Sequence, residues 1–280
     1  MIRRPPRSTQ GVSSAASDVY KRQLLVFILI TDCSQSNRPF VEEVDNLKID
    51  TLAPFYHGVA SGDPLKDKVI IWTRVTPENH ENKISVYWEL SKFSDFRKVF
   101  KNGTFLTDAD RDYTVKVDVE GLESGTSYFY RFESYGKKSI TGRTKTINSL
   151  SESLRFAIVS CSDYQRGYFN SYSSISDEEN LDAVIHLGDY IYEYKSRDYS
   201  NGIFDRLHLP DKELITLGDY RTRHSQYKLD IDLIEAHRNH PFILIWDDHE
   251  TSNNTYKGCL LYTSDAADDT PCVDLGGRRI

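Results

Sequence analysis

The stretch AVIHLGDYIYE, residues 183–193, decides how this chain is read. Ala183, Val184, Ile185 and Leu187, set around His186, make a short apolar run that stops at Gly188-Asp189. A run of that length ending in Gly-Asp predicts a central strand whose end delivers a carboxylate into a cleft. Open α/β sheets bind ligands just beyond the carboxyl ends of their strands, and a carboxylate there is a hard ligand suited to a metal ion. Taken alone, the same pattern describes a strand followed by an Asp-containing turn. Two further runs end in the same manner. LRFAIVS (154–160) stops at Cys161-Ser162-Asp163, and FILIW (242–246) stops at Asp247-Asp248-His249-Glu250. Residues 169–176 begin as a helix, and 219–237 carry Tyr220, His224, Tyr227, Leu229, Ile231, Leu233 and Ile234 near helical spacing. The order β-α-β-α-β predicts a parallel α/β sheet with 183–187 as its middle strand. The polar excursion 193–218 is long enough to be a functional insertion or lid.

The preceding hundred or so residues have a different texture. Residues 55–146 read as short strands between turn clusters: VIIWTRV (69–75), ISVYWEL (84–90), VFKNGTF (99–105), YTVKVDV (113–119) and SYFYRF (127–132). Alternation in the second and fourth predicts half-exposed strands, and Asn102-Gly103 predicts a hairpin inside the third. The whole predicts an immunoglobulin-like or fibronectin type III-like β-sandwich over 53–148. GLESGTSYFYRF (121–132) resembles the fibronectin-type corner, with Leu122 packing inward and Tyr128 capping the loop. Nothing here has catalytic spacing, and Trp72, Trp88 and the tyrosines read as core and surface aromatics.

The two ends do not read as protein. SSAASDVYKRQ (13–23) looks like a translated sequencing-library adapter, and CLLYTSDAADD (259–269) like the reverse complement of the same DNA. MIRRPPRST (1–9) and VDLGGRRI (273–280) extend the same relation outward. Complementarity between two termini at the nucleic-acid level has no protein-chemical cause, so 1–23 and 259–280 are set aside as scars. About 235 residues remain, 24–258, with 28 Lys/Arg against 37 Asp/Glu and a net charge near −9, compared with −7 for all 280 residues. That balance argues against non-specific nucleic-acid binding. Only Cys33 and Cys161 lie within this span, so no disulfide framework is expected. LLVFILI (24–30) is too short to cross a bilayer. Ahead of Cys33 it reads as the remnant of an export signal, and ITDC resembles a lipoprotein cleavage site that would make Cys33 the acylated residue. Asp32 departs from the small neutral residue usual there. Residues 34–52 read as a polar tether.

Cys161, Asp189 and the 247–250 cluster together are a metal-ligand inventory. Each part has a bland alternative: an inert thiol, a turn aspartate, a helix-start acid group. Three independent strands ending in donors is what favours the metal reading. Tyr192, three residues past Asp189, is close enough to join the same ion. Thiolate and phenolate together favour a trivalent or borderline metal such as Fe(III), while Asn253 and Asn254 could add carboxamide oxygens to a neighbouring hard cation. Two metals a few ångströms apart would clamp a phosphoryl group and generate a hydroxide nucleophile.

GVASGDP (58–64), IIWTRV (70–75), SCSDYQRGYFNSY (160–172), HLGDYIYE (186–193), YRTRHSQY (220–227) and WDDHE..NN (246–254), in this order, resemble the PhoD-type alkaline phosphatases. The resemblance spans about 55–258. It implies a small β-sandwich followed by the N-terminal part of an α/β metallophosphoesterase sandwich, over 152–258. It also implies hydrolysis of phosphate mono- or diesters outside the cytoplasm, with iron and calcium (Ca2+) as metals. Carried over, Cys161, Asp189 and Tyr192 would hold iron, and Asp248 or Asp247 the second metal. His249 would stabilise the leaving oxygen or the phosphoryl group, and Asn253 or Asn254 would complete the shell. Arg166, Arg221 and Arg223 are candidates for phosphate contacts. Family members continue past WDDHE..NN into further strands with a Gly-Asp-x-His motif, so the chain as written is expected to lack part of its sheet and to be inactive. The expected form is a monomer, exported, touching a membrane only through Cys33. Two alternatives stand beside this: a non-catalytic surface-binding protein with a fibronectin-like module, and a phospholipase-like diesterase on the same scaffold.

Overall fold

The computed structural model describes residues 44–79, 83–148, 150–198 and 206–255. The adapter-like ends, the signal remnant, Cys33 and the middle of the 193–218 excursion lie outside the described residues. Among those described, no helix is long and apolar enough to cross a membrane.

Among the described residues of the first half there are eight strands: β1 (Val59–Gly62), β2 (Lys68–Arg74), β3 (Lys83–Ser91), β4 (Val99–Asp108), β5 (Thr114–Glu120), β6 (Ser127–Ser134), β7 (Lys137–Lys138) and β8 (Gly142–Lys145). One sheet has the order β4-β3-β6-β7 with β8 also on β6; β5-β2-β1 belong to another, and all these pairs are antiparallel. The inward residues of both form one core, including Val69, Ile71, Val86, Leu90, Val115, Tyr128, Tyr130 and Phe132. Each such side chain contributes about 1.5–3 kcal/mol by leaving water. Leu122 is buried in this core, and Glu123 N–H donates to the Tyr128 hydroxyl at 2.9 Å, closing the corner anticipated from 121–132.

Two local expectations fail. β4 runs unbroken through Asn102-Gly103, which pair with Glu89 and Trp88 of β3 instead of turning. The glycine is needed for a different reason: a Cβ on Gly103 would lie 2.9 Å from the Trp88 indole. Nor is the whole of 34–52 a loose tether. Val44–Leu47 and Asp50–Leu52 form 3-10 turns, and the Lys48 ammonium sits 5.1 Å from the Tyr56 ring centroid.

The second half supplies β9 (Phe156–Val159), α1 (Asn170–Ser176), β10 (Ala183–His186), α2 (Leu217–Tyr227), α3 (Ile231–Asn239) and β11 (Pro241–Leu244). β10 lies between β9 and β11, both parallel to it, as the three strand-end pattern predicts. The helical stretch expected over 219–237 is two helices. Asp230 interrupts it by accepting from Asp232 N–H and Leu233 N–H, which starts a new helix. β11 ends at Leu244, so Ile245 and Trp246 belong to the loop beyond. Tyr227, Leu233, Ala236, Val184 and Phe242 share a second core on the helix side of the sheet.

The separation of the halves is less complete than the sequence suggests. β1 pairs in parallel with β11, Ser61 opposite Pro241 and Gly62 opposite Phe242, giving one six-stranded sheet of order β5-β2-β1-β11-β10-β9. Two cores therefore hang on one continuous sheet. On the face of the parallel strands away from the helices, Phe156 and Ile158 are 37% and 66% exposed. Parallel sheets are ordinarily covered on both faces.

Candidate metal centre

Register brings the chemistry together. Val159, His186 and Leu244 are aligned across β9, β10 and β11, so the three strands end at one edge. Beyond it the turns interlock. Leu187 N–H donates to Val159 O at 2.8 Å, Ile245 N–H to His186 O at 3.1 Å, Cys161 N–H to Gly188 O at 3.1 Å and Ser162 N–H to Asp189 O at 2.8 Å. Cys161 and Asp189 both adopt left-handed backbone, φ +58° and +54°. Non-glycine residues rarely do so, and such strain gathers at functional sites. Gly188, at φ +102°, must be glycine: a Cβ there would meet Asp247 Cβ at 2.5 Å.

Asp189 is the hub. Its Oδ2 accepts from the Cys161 thiol at 3.5 Å and from the Tyr192 hydroxyl at 3.2 Å. Its Oδ1 is buried with no hydrogen-bond partner among the described residues. Asp189, Asp248 and His249 each offer a ligand atom within 4.8 Å of the others. An orphaned, buried carboxylate oxygen among a thiol, a phenol, a second carboxylate and an imidazole fits a cation, since each of these groups coordinates metals and a lone buried acceptor is costly. Burial, then the Asp189 and Cys161 charges, raise the Tyr192 pKa, so without a cation the phenol is held neutral. A bound cation reverses that balance.

Two glutamates brace the centre: Glu250, which the strand-end pattern counts within the 247–250 donor cluster, and Glu193, which that pattern does not reach. The Glu250 carboxylate, 5% exposed, accepts from Asp189 N–H at 3.0 Å, Asp247 N–H at 2.7 Å and Tyr190 N–H. Burial raises its pKa, opposed by these backbone donors. Glu193, 2% exposed, joins His249 Nδ1 through Oε2 at 2.8 Å and accepts from Asn253 N–H through Oε1 at 2.6 Å. Each loop thus sends one buried carboxylate into the other. The sequence trace of Glu193 is its place directly after Tyr192; Glu250 reads there as a donor and not as a brace. His186, fully buried, accepts from Gly188 N–H through Nδ1 at 3.2 Å and lies 3.1 Å from Ser162 Oγ through Nε2. Burial and the Lys228 charge lower its pKa to about 4, so it is a neutral structural histidine.

The remaining sequence candidates separate. Asp248 stands with Asp189, whereas the Asp247 side chain caps the 3-10 turn Asp248–Glu250 and is exposed. Asn253 and Asn254 are exposed and meet the site through backbone N–H groups, to Glu193 and to Asp248 Oδ2 respectively. Arg166 is exposed and pairs with Asp163 at 3.1 Å, lining the same cavity of about 840 Å³ as Cys161. Arg221 points elsewhere, donating to Ala109 O at 3.4 Å and to Asp110 O. Arg223 corrects the expectation of a phosphate contact. It is fully buried and donates to Leu209 O (2.9 Å), Tyr194 O (3.1 Å), Pro210 O (3.0 Å) and Tyr192 O. The described part of the 193–218 excursion is thereby bound down onto α2.

Fold and site together define a class: an antiparallel β-rich half joined to a parallel α/β half that gathers candidate metal donors at the carboxyl edge of its sheet. Residues 46–148 match the model of the PhoD-like phosphatase N-terminal domain, and residues 156–270 that of the PhoD-like phosphatase itself. The chain belongs to the PhoD-like phosphatase family. The first match begins within the stretch read as a tether, and the second runs past Gly258 into residues outside those described. Alkaline phosphatase D of Bacillus subtilis (strain 168) is 40% identical over 210 residues, covering 72% of this chain and 36% of that protein. A solved structure of PhoD superposes with a TM-score of 0.67 at 41% identity, covering 72% of this chain and 40% of the other. The chain therefore spans somewhat more than a third of the length of these relatives.

Proposed function

We propose that this chain is part of a metal-dependent phosphoric ester hydrolase acting on phosphate monoesters, diesters or both. The observation that carries the reading is the Asp189 hub, whose buried Oδ1 lacks a partner among the described residues while Cys161, Tyr192, Asp248 and His249 converge on it. Cys161, Asp189 and Tyr192 would hold iron, as Fe(III), and Asp248 a calcium ion beside it, with Asn253 or Asn254 as further candidates. Bound there, the cations would neutralise phosphoryl oxygens and supply a hydroxide at neutral pH. The chain's own part is to give up the Cys161 and Tyr192 protons that Asp189 holds, and to set His249 beside the centre for the leaving oxygen. Arg166 is the arginine best placed to meet phosphate, from the cavity it shares with Cys161.

The 1–23 and 259–280 flanks as scars, the fibronectin-like character of 53–148, export, acylation of Cys33 and a role in phosphate acquisition belong to the same proposal, supported by the sequence patterns described above. The uninterrupted protein, loaded with iron and calcium, should hydrolyse p-nitrophenyl phosphate or its bis ester. A metal-replete protein inert to both would refute the assignment. An iron–phenolate pair should also give a visible absorption band that disappears in Tyr192→Phe, and an unchanged spectrum would remove Tyr192 from the centre.

A further inference from the structure

Beyond the donors themselves, the strongest unassigned feature is the buried Glu193–His249 contact. Glu193 Oε2 lies 2.8 Å from His249 Nδ1, and its Oε1 accepts from Asn253 N–H at 2.6 Å. The imidazole is further confined by the Tyr192 ring, centroid 4.4 Å away at 34°, and by the Tyr194 ring at 5.3 Å. Arg223 fixes the backbone on both sides of Glu193 by donating to the Tyr192 and Tyr194 carbonyls. A carboxylate offers only acceptor lone pairs, so the contact is a hydrogen bond when Nδ1 carries the ring proton.

We propose that Glu193 is a positioning residue that holds His249 in one orientation and as the Nδ1–H tautomer, leaving Nε2 as the nitrogen that acts at the centre. In that tautomer Nε2 carries a lone pair and can accept a hydrogen bond or ligate a cation. The same carboxylate ties down Asn253, and Asn254 N–H donates to Asp248, so one residue sets both the histidine and the loop bearing the second carboxylate. The catalytic meaning of this rests on the phosphatase reading; the tautomer itself does not.

The test reads the tautomer directly, by imidazole ¹⁵N NMR of the metal-free full chain with ¹⁵N-histidine, assigning His249 by the signals lost in His249→Gln. The expected result is protonated Nδ1 and unprotonated Nε2. A His249 found as the Nε2–H tautomer overturns the proposal, without any variant having to fold. In Glu193→Gln one oxygen must serve both Asn253 N–H and His249, so the amide NH₂ turns to Nδ1 and the ring proton should move to Nε2. In the metal-loaded enzyme that variant should lose about 10- to 100-fold in kcat with KM little changed. A folded Glu193→Gln protein with the wild-type tautomer and wild-type kcat also overturns it. If the uninterrupted, metal-loaded protein is inert to phosphate esters while His249 still shows the Nδ1–H tautomer, the positioning contact is supported and the phosphatase reading is refuted separately.

Discussion

Truncating Glu250 to alanine should loosen the two loops that meet at the centre, at a cost that can be worked from its three acceptor contacts. The carboxylate takes N–H groups from Asp189, Tyr190 and Asp247 while itself only 5% exposed. Asp189 and Tyr190 are buried, so in Glu250→Ala their N–H groups lose their partner with no water to replace it. Asp247 is exposed, and water can take over there. Two unsatisfied buried donors cost about 1–3 kcal/mol each. Relief from burying a carboxylate, the same burial that raises the Glu250 pKa, offsets part of this. The net loss should be about 2–4 kcal/mol, or roughly a 30- to 1,000-fold shift in the unfolding equilibrium. Glu250→Gln keeps one oxygen, which can still serve Asp189 and Asp247, and sets its amide against Tyr190 N–H, for a loss of about 1–3 kcal/mol. Urea unfolding followed by tryptophan fluorescence gives both numbers, and amide exchange at Asp189 and Tyr190 locates the change. An alanine variant within about 0.5 kcal/mol of wild type, or one more stable than the glutamine variant, would refute the reasoning.

Gly188→Ala should cost more than about 3 kcal/mol, because φ +102° is hostile to an L side chain and the methyl would run into Asp247; a variant with the wild-type unfolding midpoint would contradict the close approach. Acid should destabilise the fold through its neutral histidines. The His186 pKa is lowered to about 4, so the unfolded chain takes up a proton near pH 6.5 that the folded chain refuses. Its stabilisation is complete above about pH 6.5 and is lost as pH falls toward 4, about 3 kcal/mol in all. His208, lowered to about 3, and His224, lowered to about 4, both chiefly by burial, act with the same sign. Urea midpoints that stay flat from pH 7 to 5 would exclude this. Arg223→Lys should cost at least about 2 kcal/mol, since an ammonium cannot reach four carbonyls in a fork, while Arg166→Ala should stay within about 0.5 kcal/mol of wild type. Equal stability of the two variants would contradict the anchoring role assigned to Arg223.

The order of elements was legible because it depends on short-range pattern. Apolar runs ending in Gly-Asp, Cys-Ser-Asp and Asp-Asp-His-Glu are local, and they place β10 between β9 and β11. The continuous sheet was not legible. β1 is four residues long, and its partner begins at Pro241, so nothing local joins VASG to PFIL. Asn102-Gly103 shows the opposite failure. A strong turn signal is overridden when nine pairs along β3, with one register shift at Leu90/Ser91, and the Trp88 indole hold the strand continuous. Asp230 broke a helix that periodicity alone reads as continuous, although its capping chemistry was visible in the sequence.

Donors and braces differ in what a sequence can reveal of them. Cys161, Asp189 and Asp248 are legible because a strand end fixes where a side chain goes, whatever lies across the sheet. Glu193 is not, because its partners are a histidine and a backbone N–H 56 and 60 residues away. Glu250 is legible only as a member of the 247–250 cluster, since the N–H groups of Asp189 and Tyr190 that it braces lie 61 and 60 residues away. Charge misled in the case of Arg223 for the same reason: a guanidinium suits phosphate and peptide carbonyls alike, and only packing decides between them. Yet the braces explain why the donors sit where they do. Glu250 reaches from the β11 loop to the backbone that aims Asp189, and Glu193 reaches from the β10 loop to His249 and to the backbone near Asp248. Neither loop can relax without the other. Asp189 stands in a left-handed conformation with its N–H held by the Glu250 carboxylate, and that leaves its Oδ1 free of any partner among the described residues and directed to the centre's other donors.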